Sequence, residues 1–293
     1  MGDLRGNAGQ AEYWEARSPE WIQAEDFTTL VAASFGRRAM DGLGLDAGQR
    51  VLDVGCGTGP TTTELARRVA PGGTVLGVDI APSMLVAART RAEKEGVGNV
   101  EFAVGDVETD DLGTGSFDAV FSHFGVMFFA DPGAAFANIR TALREGGRLG
   151  FVCWQDVFAN EWMLIPGSAA MSVTGELPPM PGPGEPGPFS LSDPAHVEAL
   201  LQGAGFRAID VVPHAEHVIV DEDRLGDWAD ASCRVGAVRE ALERTDDPAI
   251  QSDIRAAVRS ALSERVVDGE LRLGTAALVV TAEADVGPDR DHR

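Results

Sequence analysis

Between residues 50 and 154 the chain alternates short β-rich runs with amphipathic stretches, and that alternation leaves few folds open. The runs are RVLDVG (50–55), TVLGVDI (74–80), VEFAVGD (100–106), FDAVFSH (117–123) and RLGFVCW (148–154). Between them, apolar residues recur at helical spacing over 60–70, 82–95 and 132–144. Strand and helix in turn imply βαβ units and a mostly parallel, doubly wound α/β sheet. Local punctuation agrees. Pro82 and Pro132 stand where a first helical turn accepts proline, Thr61 with Glu64 has capping-box spacing, and Gly146-Gly147 is placed to stop the third helix.

The flanks read differently. Trp14, Trp21, Ile22, Phe27, Leu30, Val31 and Phe35 give residues 1–45 the spacing of a helical cap. After 154, the stretch 155–175 looks helical. PPMPGPGEPGP (178–188) is a stiff connector. A helix over 193–203, a strand over 206–212, helical matter over 223–266 and a strand near 276–282 follow. The expected organisation is a cap (1–45), a core (46–154), insertions or lid plus the last strands of the same domain (155–283), and a disordered tail (284–293).

Composition removes several classes of function. Apolar residues at 44% and charged residues at 24% describe a globular chain, and no run of 18 apolar residues occurs to span a membrane. A formal charge of −22 disfavours a nucleic-acid partner, because phosphate binding needs a basic surface. The first 20 residues hold no apolar signal core, so a cytoplasmic location is expected. Three scattered cysteines with no CxxC pair point to reduced thiols, with neither a disulfide framework nor a metal site.

The chemistry concentrates in Asp53-Val-Gly55-Cys-Gly57-Thr-Gly59, a glycine-rich turn from strand to helix. Glycines there let a ligand approach the backbone closely. Dinucleotide dehydrogenases use such a turn too, but their GxGxxG would need glycine where this chain has Pro60, and does not call for an acid two residues before the first glycine. An acid at Asp53 would repel a pyrophosphate and suits a nucleoside that carries an ammonium group, as S-adenosylmethionine does. Asp79 ends the second run, where a carboxylate can accept from ribose hydroxyls, and Asp106 ends the third, placed for the adenine amine with the Val107 amide beside it. Three acids at successive strand ends mark the carboxyl edge, where open α/β sheets bind ligands.

VLDVGCGTG, GVDIAPSML, VGDVE, FDAVFSHFGVMFFADP and LREGGRLGFVCW together resemble class I S-adenosylmethionine-dependent methyltransferases of the ubiquinone/menaquinone-biosynthesis type, over roughly 50–154. The flanks are similar to a narrower group of bacterial small-molecule methyltransferases. The resemblance implies a Rossmann-like seven-stranded sheet of order 3-2-1-4-5-7-6, its last strand antiparallel, with helical insertions after strands five and six. It also implies that Asp53, Gly55, Gly57 and Gly59 cradle the methionine part of the cofactor. Asp79 and Ile80 take the ribose, Met84 packs on the adenine, and Asp106 with Val107 reads its edge. Ser122 and His123 then lie near the sulfonium, and S-adenosylhomocysteine is the product.

His123 is the one titratable side chain that the resemblance puts beside the methyl group, and so the candidate base. Similar sequences often carry arginine at this position, which counts against a shared mechanism. Trp14, Trp21, Phe124, Trp154 and Trp162 are candidates to line a pocket for a hydrophobic or aromatic small molecule; the bland alternative is that they anchor helices to the sheet. The acidic run from Glu108 to Asp111 reads as a solvated loop. Acceptor identity, the acceptor atom (O, N or C) and oligomeric state, a homodimer included, stay open. Two alternatives remain: a methyltransferase-like fold that uses the cofactor structurally or for another reaction, and a nicotinamide-dependent oxidoreductase.

Overall fold

The computed structural model describes residues 8–176 and 185–285. Most of the proline-rich connector and residues 286–293 of the expected tail lie outside the described residues. In chain order, helices α1 (Ala8–Gln23) and α2 (Glu25–Leu43) precede the core. It runs β1 (Arg50–Val54), α3 (Pro60–Arg68), β2 (Thr74–Asp79), α4 (Pro82–Glu95), β3 (Val100–Val104), β4 (Phe117–His123), α5 (Pro132–Ala142) and β5 (Leu143–Trp154). Then come α6 (Glu161–Thr174), α7 (Pro194–Gly203), β6 (Phe206–Asp221), α8 (Leu225–Ser232), α9 (Gly236–Glu243), α10 (Pro248–Ser263), β7 (Val266–Val267) and β8 (Glu270–Ala284).

The sheet order is β3-β2-β1-β4-β5-β8-β6, with β7 paired to β8 alone. The five strands β1 to β5 pair in parallel, whereas β8 runs antiparallel to both β5 and β6. This is the expected order, with β8 as the seventh strand and β7 as a two-residue addition. Central parallel strands are covered on both faces, which is why β1 and β4 read as nearly unbroken apolar runs: Val51, Leu52, Val54, Ala119, Val120 and Phe121 are all buried. The edge strand β6 accommodates Pro213, whose missing N–H would cost a hydrogen bond in the sheet interior.

Some local expectations are corrected. The capping box does not form: Gly59 is the N-cap of α3 with no side-chain bond, the Thr61 hydroxyl turns to Asp53, and Glu64 pairs with Arg68. Helix α5 ends at Ala142, earlier than expected, because Leu143 is already extended and pairs with Phe117; Gly146 then sits in an irregularity of β5 with left-handed φ. Residue 284, expected in the tail, is the last residue of β8. Glu108 is no solvated loop residue. It is buried, and its Oε2 accepts from the backbone N–H groups of Ala130 (2.8 Å) and Asp131 (3.1 Å), tying the loop after β3 to the one after β4.

Helix α2 reaches the sheet closely. It packs on β4, β5 and β8 through Phe27, Val31, Phe35, Ala39 and Leu43, all buried. A Cβ at Gly150 of β5 would lie 2.9 Å from Leu43, and one at Gly36 of α2 would lie 2.8 Å from the His123 ring. Helix α1 is attached quite differently. Ser18 is its one buried residue among those whose burial is described, and Trp14, Glu15 and Trp21 are half-buried.

Candidate functional site

The carboxyl ends of β1, β2, β3 and β4 converge on the motif residues. Gly55, Gly57 and Gly59 all take left-handed φ (65°, 54° and 81°), a region that side chains with a Cβ enter at a cost. At Gly55 a Cβ would stand 3.0 Å from the Gly125 backbone, so the ends of β1 and β4 meet only because both residues are glycine. At Gly57 a Cβ would meet nothing within 4 Å; the turn opens there onto free space, as a cradle does. The Gly55 and Cys56 N–H groups donate to the Val78 carbonyl, which locks the turn to β2.

Asp53 is fully buried beneath this turn. Its Oδ2 accepts from the Thr61 and Thr62 hydroxyls (2.8 and 2.7 Å), while its Oδ1 is buried and has no partner among the described residues. Burial pushes its pKa up to about 7, against the two threonine bonds, and the neighbouring Asp79 charge adds to the rise. Asp79 accepts from the Gly57 N–H (2.8 Å) and the Ala81 N–H (2.9 Å), so one carboxylate joins the glycine turn to the start of α4. Burial raises its pKa too, with the backbone bonds opposing and Glu15 adding to the rise.

Asp106 is engaged in its own turn: its Oδ1 accepts from Glu108 N–H (3.0 Å) and its Oδ2 from the Thr109 hydroxyl (3.2 Å). Met84 and Val107 are buried, and Ile80 is half-buried. Ser122 differs from expectation. Its side chain is fully buried and its hydroxyl donates to the Val54 carbonyl (2.8 Å), so it ties β4 to β1 and does not face the opening. His123 turns towards the cap, with Nε2 3.2 Å from the Ala32 carbonyl of α2. That bond makes Nε2 the donor and leaves Nδ1 as the acceptor nitrogen, while burial lowers the pKa to about 4.

Beyond His123 an aromatic chain runs away from the motif. Phe124, at φ 62°, stacks on Trp154 (centroids 3.9 Å apart, 19° between planes) and touches His123 edge-on. Trp154 meets Trp162, Trp162 meets Phe27, and Phe27 meets Trp228, whose indole Nε1 is buried and has no partner among the described residues. Trp154 and Trp162 are thus core residues that anchor α2 and α6. Trp14 and Trp21 form a separate pair, with Trp14 edge-on to Phe128 just past β4. A cleft of about 560 Å³ lies elsewhere, between α1 and α8–α10, with Glu20, Cys233, Arg234, Arg239 and Arg255 in its wall. It contains none of the motif residues, so the candidate site is described at the strand ends and not at the cleft.

Sequence reasoning missed the polar residues that support this edge. Thr61 and Thr62 hold Asp53; Glu25 accepts from the Thr58 hydroxyl (2.7 Å) and pairs with Arg91, which itself donates to the Thr58 carbonyl; Glu15 accepts from Ser83. The threonines follow the motif directly and were readable. The two glutamates stand 33 and 68 residues from their partners, and no periodicity marks them.

The sheet order and the glycine-rich turn at the strand ends are those expected from the sequence resemblance. Residues 51–147 match the family model described as a methyltransferase domain. The aklanonic acid methyltransferase of Streptomyces sp. strain C5 is 40% identical over 116 residues, covering 40% of this chain and 53% of that protein. The nocamycin O-methyltransferase of Saccharothrix syringae is 33% identical over 177 residues, 58% of this chain and 63% of that protein. The chain therefore spans little more than half the length of these curated relatives. Among solved structures, the YcgJ protein of Bacillus subtilis superposes with a TM-score of 0.57 at 18% identity, over 87% of this chain and 99% of that one, a likeness of fold.

Proposed function

We propose that the protein is a methyltransferase that moves the methyl group of S-adenosylmethionine to a small hydrophobic or aromatic acceptor. The observation that carries this reading is the unpartnered, fully buried Asp53 Oδ1 beneath a glycine turn that is open at Gly57. A buried carboxylate oxygen without a partner is costly, and the ammonium group of an amino-acid-bearing nucleoside would satisfy it, directly or through water. Two relatives named for natural-product substrates support an acceptor of that kind.

Bound there, S-adenosylmethionine supplies an electrophilic methyl on a sulfonium, open to in-line attack. The chain's own residues do the rest. Asp53 and the glycine turn hold the amino-acid end; Asp79 takes the ribose hydroxyls; Met84 packs on the base, whose edge Asp106 and Val107 read. Holding donor and acceptor in near-attack geometry is worth on the order of 7–11 kcal/mol, more than the 10²–10⁴ in rate of a positioned base. His123 is uncharged at neutral pH, and its Nδ1 is the nitrogen that would accept a proton. Ser122 acts indirectly, by fixing the end of β4 against β1.

The test is transfer of labelled methyl to a panel of phenols, amines and carbon acids. Transfer to at least one acceptor is expected, and Asp79→Ala should abolish it through lost donor affinity while the chain stays folded. Tight donor binding with no methylated product from any acceptor would instead favour a structural or non-methylating use of the cofactor.

A further inference from the structure

Helix α1 spans the donor edge on contacts of a kind that can be made and broken. Its Glu15 Oε2 accepts from the Ser83 N–H (3.1 Å) and its Oε1 from the Ser83 hydroxyl, in the first turn of α4. Ser83 lies two residues beyond Ala81, whose N–H holds the Asp79 carboxylate. On the other flank Trp14 lies edge-on to Phe128, 4.8 Å between centroids, just past β4. The helix thus bridges from the end of β2 to the end of β4, with the glycine turn between them.

The attachment is asymmetric. Eight residues of α2 are buried in the core, among them Phe27, Phe35 and Leu43, whereas α1 rests on half-buried tryptophans and surface ion pairs such as Arg17–Glu243 and Glu20–Arg239. The two helices separate at Ala24, which has non-helical ψ (6°). Pro19 lies inside α1 and lacks the N–H that would bond the Glu15 carbonyl, so the helix is weakest at the residue that carries the latch. Elements with few buried apolar contacts open at the lowest free energy.

We propose that Glu15 is a positioning residue of the donor site: by gripping Ser83 it latches α1 as a lid over the donor, and the strength of that grip sets how long donor and product stay bound. The proposal rests on the donor reading above. A latched lid predicts that α1, and not α2, gains protection when the site fills. It also predicts that breaking the latch raises dissociation rates more than association rates change.

The experiment uses the full chain with S-adenosylhomocysteine as probe. Hydrogen exchange of residues 9–23 should slow on saturation, while residues 27–43 stay as they were. Glu15→Ala should speed S-adenosylhomocysteine dissociation by about tenfold, the effect of losing one or two charge-assisted hydrogen bonds at a half-exposed site. Ser83→Ala should act in the same direction, and the double variant should exceed the stronger single variant by little, because the two side chains share one contact. A purely structural role for Glu15 would lower thermal stability without altering the dissociation rate, and that result overturns the proposal. So does probe binding that leaves exchange in α1 unchanged. Failure of the probe to shift the melting temperature at all would remove the donor reading and this inference with it.

Discussion

At the scale of single residues, Asp53 and His123 titrate across the same pH range in opposite senses. The Asp53 carboxyl rises from an ordinary 3.8 to about 7, so between pH 4 and 7 the folded chain keeps a proton that the unfolded chain has lost, and stability falls as pH rises. The His123 imidazole drops from 6.5 to about 4, so between those values the unfolded chain holds a proton that the folded one lacks, and stability rises with pH. Each slope is at most about 1.4 kcal/mol per pH unit, and the two offset each other. Single variants separate them. Relative to the parent, Asp53→Asn should gain stability as pH increases from 4 to 7, and His123→Phe should lose it, as read from urea midpoints across that range. Parallel curves for parent and Asp53→Asn would show that the carboxyl titrates normally. His123→Phe also tests the base: lowered turnover with unchanged S-adenosylhomocysteine affinity is expected, and full turnover would leave alignment as the whole of the catalysis.

At the scale of elements, α2 is held close to the sheet by absent side chains. Gly150 of β5 faces Leu43 and the Ala39 carbonyl so tightly that even a methyl would sit 2.9 Å from Leu43. Gly150→Val should therefore push α2 outward and cost roughly 1–3 kcal/mol, the usual penalty for overpacking a filled core, seen as a lower melting temperature. Gly36→Ala should cost less and act on His123, whose ring would have to leave Ala32. A melting temperature equal to the parent's for Gly150→Val would show that the contact yields. The alternation from 50 to 154 made the parallel strands and their helices legible, because each strand's burial is written into its own residues. The helix α2 contacts were not legible. They join residues 36 and 123, or 43 and 150, and nothing local distinguishes a glycine that admits a neighbour from one that ends a helix. Gly146-Gly147 shows this: it was read as a stop for α5, and lies within β5. The roles of the tryptophans were not legible for a related reason, since composition reports an aromatic and not whether its face meets a ligand or another ring.

At the scale of the whole molecule, the strand order of the half that holds the glycine turn was readable, and what shapes an acceptor site was not. The proposed donor contacts lie at strand ends fixed by short-range sequence, whereas the flanking helices, where an acceptor would be met, are brought together only by tertiary packing. The net charge of −22 says little about either. The donor half can still be tested without knowing any acceptor. A ligand that binds only the folded chain stabilises it by RT ln(1 + [L]/Kd), about 2.7 kcal/mol at 100 times its dissociation constant. For a chain of this size that corresponds to a rise in melting temperature of roughly 5–10 °C, at about 2–4 °C per kcal/mol. S-adenosylhomocysteine should produce it, and NADH at the same concentration should not, because Pro60 and Asp53 disfavour a pyrophosphate at the turn. Asp79→Ala and Asp106→Ala should each reduce the rise, and Asp79→Ala should also start from a lower melting temperature, because the Gly57 and Ala81 N–H groups lose their acceptor. Asp106 is the sharper of the two tests. Its carboxylate caps its own turn, so taking the adenine amine would require it to share or release the Thr109 hydroxyl. An undiminished rise in Asp106→Ala would return this residue to a purely local role, and a rise with NADH alone would replace the methyl donor with a nicotinamide cofactor.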